Sequence, residues 1–92
     1  MKFVYDKEKD KKLQEQRDIS FEQVIECIAE GEILLDFEHP NKSKYKNQRI
    51  MVLKINNYPY CIPYIMDKEK IVLKTIYPDR RFKYLLEDKN EG

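Results

Sequence analysis

Residues 49–65 read RIMVLKINNYPYCIPYI and predict a β-hairpin around which the rest of the chain is arranged. Residues 50–53 are apolar without alternation, which is typical of a central strand that is buried on both faces. Asn56 and Asn57 tolerate the positive φ angles of a tight turn. Pro59 and Pro63 have the same parity in the return strand, so their missing N–H groups face one neighbour and predict an open or bulged margin there.

Further strands are predicted on both sides of this hairpin. The apolar residues 33–37 precede it, and residues 71–77, which end at Pro78, follow it. A short alternating run at residues 3–5 predicts an edge strand. The order of these segments predicts about four strands, consecutive and antiparallel.

Helices are predicted outside the strands, and the second is the best specified. Ser20 and Gln23 match the capping box at its start, and Gly31 is placed to end it in a left-handed conformation. Its large apolar side chains recur at helical spacing and form one stripe. They are Phe21, Val24, Ile25 and Ile28. This stripe requires a sheet to cover it.

The other two predicted helices have less apolar surface than the second helix. Asp6 is placed to cap a first helix over residues 7–17, in which Leu13 is the only large apolar side chain. That helix should therefore be held by a narrow contact. Asp79 begins a short final helix whose apolar side is formed by Phe82, Leu85 and Leu86.

These elements predict an α+β fold, in which a small antiparallel sheet of about four strands carries helices packed on one face. The 92 residues fit a single domain spanning residues 1–92. Residues 88–92 are expected to form a frayed tail.

Composition excludes several classes of protein. Charged residues make up 38% of the chain and the mean hydropathy is −0.80, and no apolar run approaches the roughly 18 residues of a membrane span. The charged N-terminal segment predicts no secretory signal, so we expect a cytoplasmic protein without membrane contact. Two glycines leave no glycine-rich phosphate loop. Cys27 and Cys61 form either one disulfide or, as we favour, two reduced core thiols. We expect no metal and no cofactor.

Acidic and basic residues are distributed unevenly along the chain. Residues 1–38 hold 6 Lys and Arg against 11 Asp and Glu, whereas residues 39–86 hold 11 against 3. The first part is therefore acidic (6 − 11 = −5) and the second basic (11 − 3 = +8). The basic part is a candidate surface for a polyanion such as RNA, although lysines that merely line exposed strands would give the same pattern.

Two clusters in the basic part carry candidate chemistry. The first lies in the loop that follows residue 38 and contains His39, Lys42, Lys44, Tyr45 and Lys46. Histidine can act as base or acid near neutral pH, lysine can stabilise a phosphorane, and tyrosine can stack on an unpaired base. The alternative is that the histidine caps a turn and the lysines are solvated.

The second cluster lies near the end of the chain. It contains Lys74, Arg80, Arg81 and Tyr84. The arginines can hold a phosphate by paired hydrogen bonds, and the alternative is that all four are ordinary surface residues. The two clusters meet only if the strands that begin at residues 49 and 71 end on the same rim. Tyr64 in the return strand is a further candidate base contact.

The opening of the chain resembles that of BrnT-type ribonuclease toxins. Phe3, Tyr5, Asp6 and Lys9, followed by residues 19–22 (ISFE), are similar to the F-x-W-D-x-x-K and I-S-F-E motifs of those toxins at the same offset. Residues 71–81 are similar to their last strand and the helix after it. Tyr5 stands where these toxins have Trp.

Such toxins belong to the RelE/ParE-like superfamily. The resemblance implies a small α+β fold, metal-independent RNA cleavage that inhibits translation, and a cognate antitoxin protein, with higher-order toxin–antitoxin assembly as a further possibility. We predict His39 as general acid or base, Lys44 and Lys74 as electrostatic stabilisers, and the two arginines of the second cluster as phosphate holders. The RNA contacts are then Lys42, Tyr45, Lys46, Tyr64 and Tyr84.

Two other functions are compatible with the same residues. One is a non-catalytic toxin of the same fold that binds a protein target. The other is a plain interaction module or a degenerate toxin.

Overall fold

The computed structural model describes residues 2–86, so the tail predicted at residues 88–92 lies outside the described part of the chain. The elements in order are β1 (Lys2–Val4), α1 (Lys7–Arg17), α2 (Phe21–Ala29), β2 (Ile33–Glu38), β3 (Gln48–Ile55), β4 (Tyr58–Asp67), β5 (Lys70–Leu73), β6 (Tyr77–Pro78) and a 3₁₀ helix (Arg80–Leu86). This order confirms the α+β class.

The sheet is larger than predicted and is mixed. Its five main strands follow the order β1-β5-β4-β3-β2, and β6 pairs with β4 as a sixth strand. The prediction of about four antiparallel strands was wrong because β1 joins β5 in parallel, with Phe3 opposite Ile71. A pairing between segments this far apart in sequence leaves no local signal.

The central hairpin forms as predicted. Asn56 and Asn57 have φ angles of 54° and 62° in the turn between β3 and β4. Strand β3 is buried on both faces, since Ile50 and Val52 belong to one apolar cluster and Met51 and Leu53 belong to the other. It is therefore a central strand, with β4 and β2 on its two sides.

The prolines of β4 face the predicted bulged margin. The carbonyl of Pro63 accepts a hydrogen bond from the Lys74 N–H, and that of Pro59 accepts one from the Asp79 N–H. Since the N–H and C=O of one residue in an antiparallel strand share an edge, the missing donors face this same side. Pairing there is interrupted, so residues 71–77 form two short strands instead of the one that was predicted. The margin is therefore not open, because the chain itself occupies it.

Both predicted N-terminal helices are present. The Asp6 carboxylate accepts hydrogen bonds from the N–H groups of residues 8 and 9 at the start of α1, and the capping box of Ser20 and Gln23 is complete at the start of α2. Gly31 follows α2 with a φ of 74°. The buried side of α2 is turned slightly from the predicted stripe, because Cys27 is buried while Ile25 is only half-buried.

Helices cover both faces of the sheet, although one face was predicted. Helices α1 and α2 pack on the face that bears Leu53 and Ile62. The 3₁₀ helix packs Phe82 and Leu85 on the opposite face, against Val52. Before this helix the chain pairs with β4 through β6. Phe82 and Leu85, two of the three side chains predicted for the apolar side of the helix, pack on the cluster of that face.

The two cysteines lie in different cores. Cys27 belongs to the cluster beneath α1 and α2, and Cys61 belongs to the cluster beneath the 3₁₀ helix. Both are free thiols, and the sheet separates them.

Among residues 2–86, each helix is too short or too polar to cross a membrane.

Candidate functional site

The loop between β2 and β3 is ordered by its own backbone. The His39 N–H donates to the carbonyl of Gln48 (3.0 Å), which extends the pairing of the two strands into the loop. The Tyr45 N–H donates to the carbonyl of Asn41 (2.9 Å), and the Gln48 N–H donates to that of Tyr45 (3.2 Å). These bonds place the side chains of residues 39–47 at one end of the sheet.

His39 and Tyr45 form a stacked pair in this loop. Their ring centroids are 4.3 Å apart and the ring planes differ by 29°. His39 Nδ1 accepts a hydrogen bond from the Asn41 N–H (3.1 Å). A ring nitrogen that accepts a hydrogen bond carries no proton, so the neutral ring is protonated at Nε2. His39 therefore both closes a turn and offers an Nε2–H donor.

Tyr45 lines a basic pocket of about 440 Å³, which we call the loop pocket. Its cations are Lys42, Lys46 and Arg49. Lys44 lies over the Tyr45 ring, with Nζ 5.2 Å from the centroid. Cations therefore line the pocket beside an aromatic ring and also lie over that ring, which is an arrangement suited to a phosphate next to a base.

Two carboxylates limit the charge of the loop pocket. Lys42 pairs with Glu38 at 2.8 Å, and this bond lowers the pKa of the Glu38 carboxyl. Arg49 donates from Nε to Asp36 (3.0 Å), which raises the pKa of the guanidinium. Lys42 and Glu38 are both largely exposed, and exposed pairs of this kind contribute little, so an anion can compete for the lysine.

Side chains of β2 and β4 hold Arg49 in place. Asp36 Oδ1 accepts its Nε–H, and Asp36 Oδ2 accepts the hydroxyl of Tyr64 at 2.6 Å. Burial, and then the hydrogen bond to this carboxylate, raise the pKa of Tyr64 to about 12. Strands β2, β3 and β4 thus each supply one side chain, and the guanidinium is fixed at the mouth of the loop pocket.

His39 lines a second pocket on the other face of the sheet, which we call the sheet pocket. Its volume is about 360 Å³. Arg81 of the second predicted cluster lies in this pocket together with His39. The remaining walls are largely aromatic: Phe37, Tyr77 and Phe82.

Arg81 is paired within the sheet pocket. It donates from Nε to Asp79 Oδ1 (3.0 Å) and from Nη2 to Oδ2 (2.7 Å). This bidentate bond lowers the pKa of Asp79 and raises that of the guanidinium. The side chain of Arg81 is 80% exposed, so its other donors remain accessible to a ligand. Its charge is nevertheless largely neutralised by the carboxylate.

Cys61 forms part of the floor of the sheet pocket. Burial, and then the neighbouring Asp79 carboxylate, raise the pKa of its thiol to about 11. A thiol needs to be ionised to act as a nucleophile, so Cys61 is unsuited to covalent catalysis at neutral pH. No group of three or more His, Cys, Asp or Glu side chains within residues 2–86 is arranged to hold a metal ion.

The structure distributes the other predicted residues over the molecule. Lys74 lies away from the loop, in a shallow pocket with Lys9 and Tyr5. Arg80 and Tyr84 are exposed on the 3₁₀ helix. Tyr64 is 5% exposed and its hydroxyl is bonded, so it does not present a ring face to a base. Of the second cluster, only Arg81 shares a pocket with His39.

Four functional candidates lacked a recognisable signal in the sequence. Asp36 and Arg49 meet only through the register of β2 and β3, which places residues 13 apart side by side. Phe37 and Phe82 come together through the return of the chain across β4, with ring centroids 6.0 Å apart. The one available hint was that an arginine directly precedes the apolar run at residues 50–53.

A family model described as a domain of unknown function (DUF4258) matches residues 9–78, which is most of the chain. The chain therefore belongs to this family. The match begins inside α1 and ends with β6, so it includes β2, β3 and the loop between them. No curated protein and no solved structure matches the chain.

Proposed function

We propose that this protein is an endoribonuclease toxin of a type II toxin–antitoxin pair, which cleaves RNA without a metal and so inhibits translation. One observation carries the proposal: the stacked rings of His39 and Tyr45 each line a pocket that also contains arginine. An imidazole, a stacking surface and cations are the groups that RNA cleavage requires. The resemblance of residues 3–25 to BrnT-type toxins also supports it.

Metal-free RNA cleavage uses the nucleophile of the substrate itself. The 2′-OH gives its proton to a base and attacks the adjacent phosphorus, and the bond to the 5′-oxygen breaks. The 5′-oxygen takes up a proton as it leaves, so the products are a 2′,3′-cyclic phosphate and a 5′-OH. The intermediate gathers negative charge, and Lys44, Lys46 and Arg49 supply positive charge at the loop pocket. Tyr45 offers its ring to a base beside the scissile bond.

The geometry of His39 separates two roles for the imidazole. As an Nε2–H donor it can bind a phosphate oxygen with no change in the loop. As a general acid or base it must exchange the proton at Nε2, and the ring then carries a proton on Nδ1, where the Asn41 N–H also points. The donor role therefore needs no rearrangement, whereas proton transfer requires the loop to release this hydrogen bond.

A toxin of this kind also has a characteristic fold, location and partner. We propose a RelE/BrnT-like fold, which the α+β order of the elements supports, and a cytoplasmic location, because translation occurs there. A cognate antitoxin would cover the loop at residues 39–46, since this loop carries the cationic groups. The alternative surface for an antitoxin is the margin beside Pro59 and Pro63, but residues 74–79 of the chain itself fill it.

One observation favours a non-catalytic toxin that binds a protein target. Lys74 is remote from His39, and Arg81 is bound by Asp79, so fewer free cations surround the imidazole than the sequence predicted. A protein-binding surface does not need them. In that case growth stops on expression while RNA stays intact.

The test is induction of the protein in a bacterial host, with growth and RNA integrity followed together, and cleavage by the purified protein in EDTA. Two variants separate the roles of the histidine. His39→Ala removes both the imidazole and the turn contact. His39→Asn restores the contact, because an asparagine side chain can accept the N–H two residues on.

We expect both variants to fold and both to lose activity by about 10²-fold or more, since the imidazole itself is required. Lys12→Ala, on an exposed turn of α1, is the control and should retain activity. Full activity in His39→Asn would show that the ring only closes the turn. Loss of cleavage in EDTA would contradict the metal-free mechanism.

A further inference from the structure

The sheet pocket is a concave surface that the proposed chemistry does not by itself require. It lies on the face of the sheet opposite α1 and α2, between the start of the loop at His39 and the segment that precedes the 3₁₀ helix. Its floor is formed by Ile50 and Cys61, which are 4% and 1% exposed. Its volume, about 360 Å³, lies within the range of small-ligand sites.

The walls of the sheet pocket are aromatic but not closed. Phe37 and Phe82 contact each other with centroids 6.0 Å apart, and Tyr77 lines the same pocket. All three rings are half-buried, so each is packed on one side and accessible on another. Half-buried aromatic rings supply rigid flat surfaces, on which a planar ligand can stack at little cost in conformational entropy.

Two hydrogen-bond donors also line the sheet pocket, His39 and Arg81. The Asp79 side chain is 9% exposed and accepts four hydrogen bonds, three from Arg81 and one from the Cys61 thiol. Arg81 is largely exposed, so its remaining donors are accessible. An apolar, aromatic pocket with such donors matches a planar heterocycle, which has apolar faces and polar edges.

We propose that the sheet pocket binds one unpaired base of the RNA whose backbone lies along residues 39–49. This inference rests on the proposed function and names the part of the substrate that this site takes. The stacked rings of His39 and Tyr45 each line one of the two pockets, so RNA bound along the loop can reach the sheet pocket with a base. An apolar side chain of a protein partner would leave the donors of His39 and Arg81 unused.

The experiment measures binding and not cleavage, so that it is independent of catalysis. Short single-stranded RNA with 2′-O-methyl sugars cannot be cut, because the attacking hydroxyl is blocked. Affinities are compared for one oligonucleotide with all its bases and for versions with an abasic site at each position in turn. The variant is Phe82→Leu, which keeps an apolar side chain in the cluster but removes the ring, and the control is Tyr58→Leu at the far end of β4.

For the wild-type protein, one abasic position should weaken binding by about tenfold, because stacking on an aromatic side chain is lost. The same abasic site should have a much smaller effect on Phe82→Leu, while Tyr58→Leu behaves as the wild type. A second measurement covers the case in which Phe82→Leu fails to fold. Adenosine monophosphate should shift the NMR signals of Phe82 and Tyr77, and ribose 5-phosphate should not.

Three results would overturn the inference. They are equal affinity for every abasic version, an abasic effect that persists in a folded Phe82→Leu, and equal NMR shifts with and without the base. If RNA is cleaved and yet one of these results is found, the proposed function stands and the sheet pocket is free for a protein partner. If the base effect is present but no RNA is cleaved, the pocket stands and the ribonuclease assignment fails.

Discussion

The hydroxyl of Tyr64 donates a hydrogen bond of 2.6 Å to Oδ2 of Asp36, across the strand that lies between them. The second oxygen of the same carboxylate accepts from Arg49 on that intervening strand, β3. One carboxylate thus links β2, β3 and β4 beside the loop pocket. Arg49, which lines the loop pocket, is therefore positioned through Asp36 by Tyr64, a side chain that is 5% exposed.

Tyr64→Phe should lower the free energy of unfolding by about 1–2 kcal/mol, because it removes a hydrogen bond to a charged acceptor that is partly exposed. Urea unfolding of the two proteins measures the difference. Tyr58→Phe, a half-buried tyrosine at the start of the same strand, is the control and should change stability less. Equal losses in the two variants would show that the bond to Asp36 contributes nothing specific.

The raised pKa of Tyr64 predicts a loss of stability at alkaline pH. This pKa is about 12 in the folded protein, whereas an unperturbed tyrosine has a pKa of about 10. The unfolded chain therefore releases this proton first. The contribution is fully present below the unfolded pKa, and it is lost as the pH rises from there through the folded value.

The measurement is urea unfolding at a series of pH values from neutral to strongly alkaline, for the wild type and for Tyr64→Phe. Burial also raises the pKa of Tyr77, so the wild type carries more than one such tyrosine. The variant should lose stability less steeply in the alkaline range. Parallel curves would mean that Tyr64 ionises as easily in the folded protein as in the unfolded chain.

The parts of the fold that follow from short-range chemistry could be predicted from the sequence. Ser20 and Gln23 satisfy each other's backbone donors within one helical turn, and Asn56 and Asn57 adopt φ angles that few other residues tolerate. Such features depend on neighbours in the chain. The parallel pairing of β1 with β5 does not, and it was missed.

The same distinction between local and long-range chemistry applies to the candidate site. Residues His39 and Tyr45 were chosen from one loop, and the loop brings their rings together. Tyr64 was chosen as a base contact, yet it lies two residues from the buried Ile62 and shares with it the face that α1 and α2 cover. The alternation of the strand predicts that residues 62 and 64 share a face. Which side chains are buried on that face depends on the packing of helices that are distant in sequence.

The rotated face of α2 predicts an unusual order of stability losses. Val24 is fully buried, whereas the larger Ile25 is half-buried. Val24→Ala should cost about 1.5–3 kcal/mol, the value for a fully buried valine. Ile25→Ala should cost less, although it removes more atoms, because part of its surface is already in water. Urea unfolding of both variants decides the order, and the reverse order would place Ile25 in the core.

Both thiols should be protected from modification in the folded protein. Burial raises the pKa of Cys27 and of Cys61, the latter to about 11, and only the thiolate reacts with thiol reagents. At neutral pH each should react slowly in buffer and fully in denaturant. Cys27→Ser and Cys61→Ser, measured separately, assign the rates. Rapid reaction of Cys61 in buffer would show that the sheet pocket opens to its floor.

The lysines on either side of Tyr45 in the sequence should set the salt dependence of RNA binding. Each phosphate neutralised on a single strand contributes about −0.7 to the slope of log affinity against log salt, because counterions are released. Lys44 and Lys46 flank the Tyr45 ring and are exposed, so the double variant Lys44→Gln/Lys46→Gln should reduce the magnitude of the slope by about 1.4 if each contacts a phosphate. Lys11→Gln/Lys12→Gln on α1 removes the same charge elsewhere and should leave the slope unchanged. The slopes are measured with uncleavable single-stranded RNA by fluorescence anisotropy. Equal reductions in the two double variants would indicate a diffuse effect of net charge, and they would remove the loop from the RNA-binding surface.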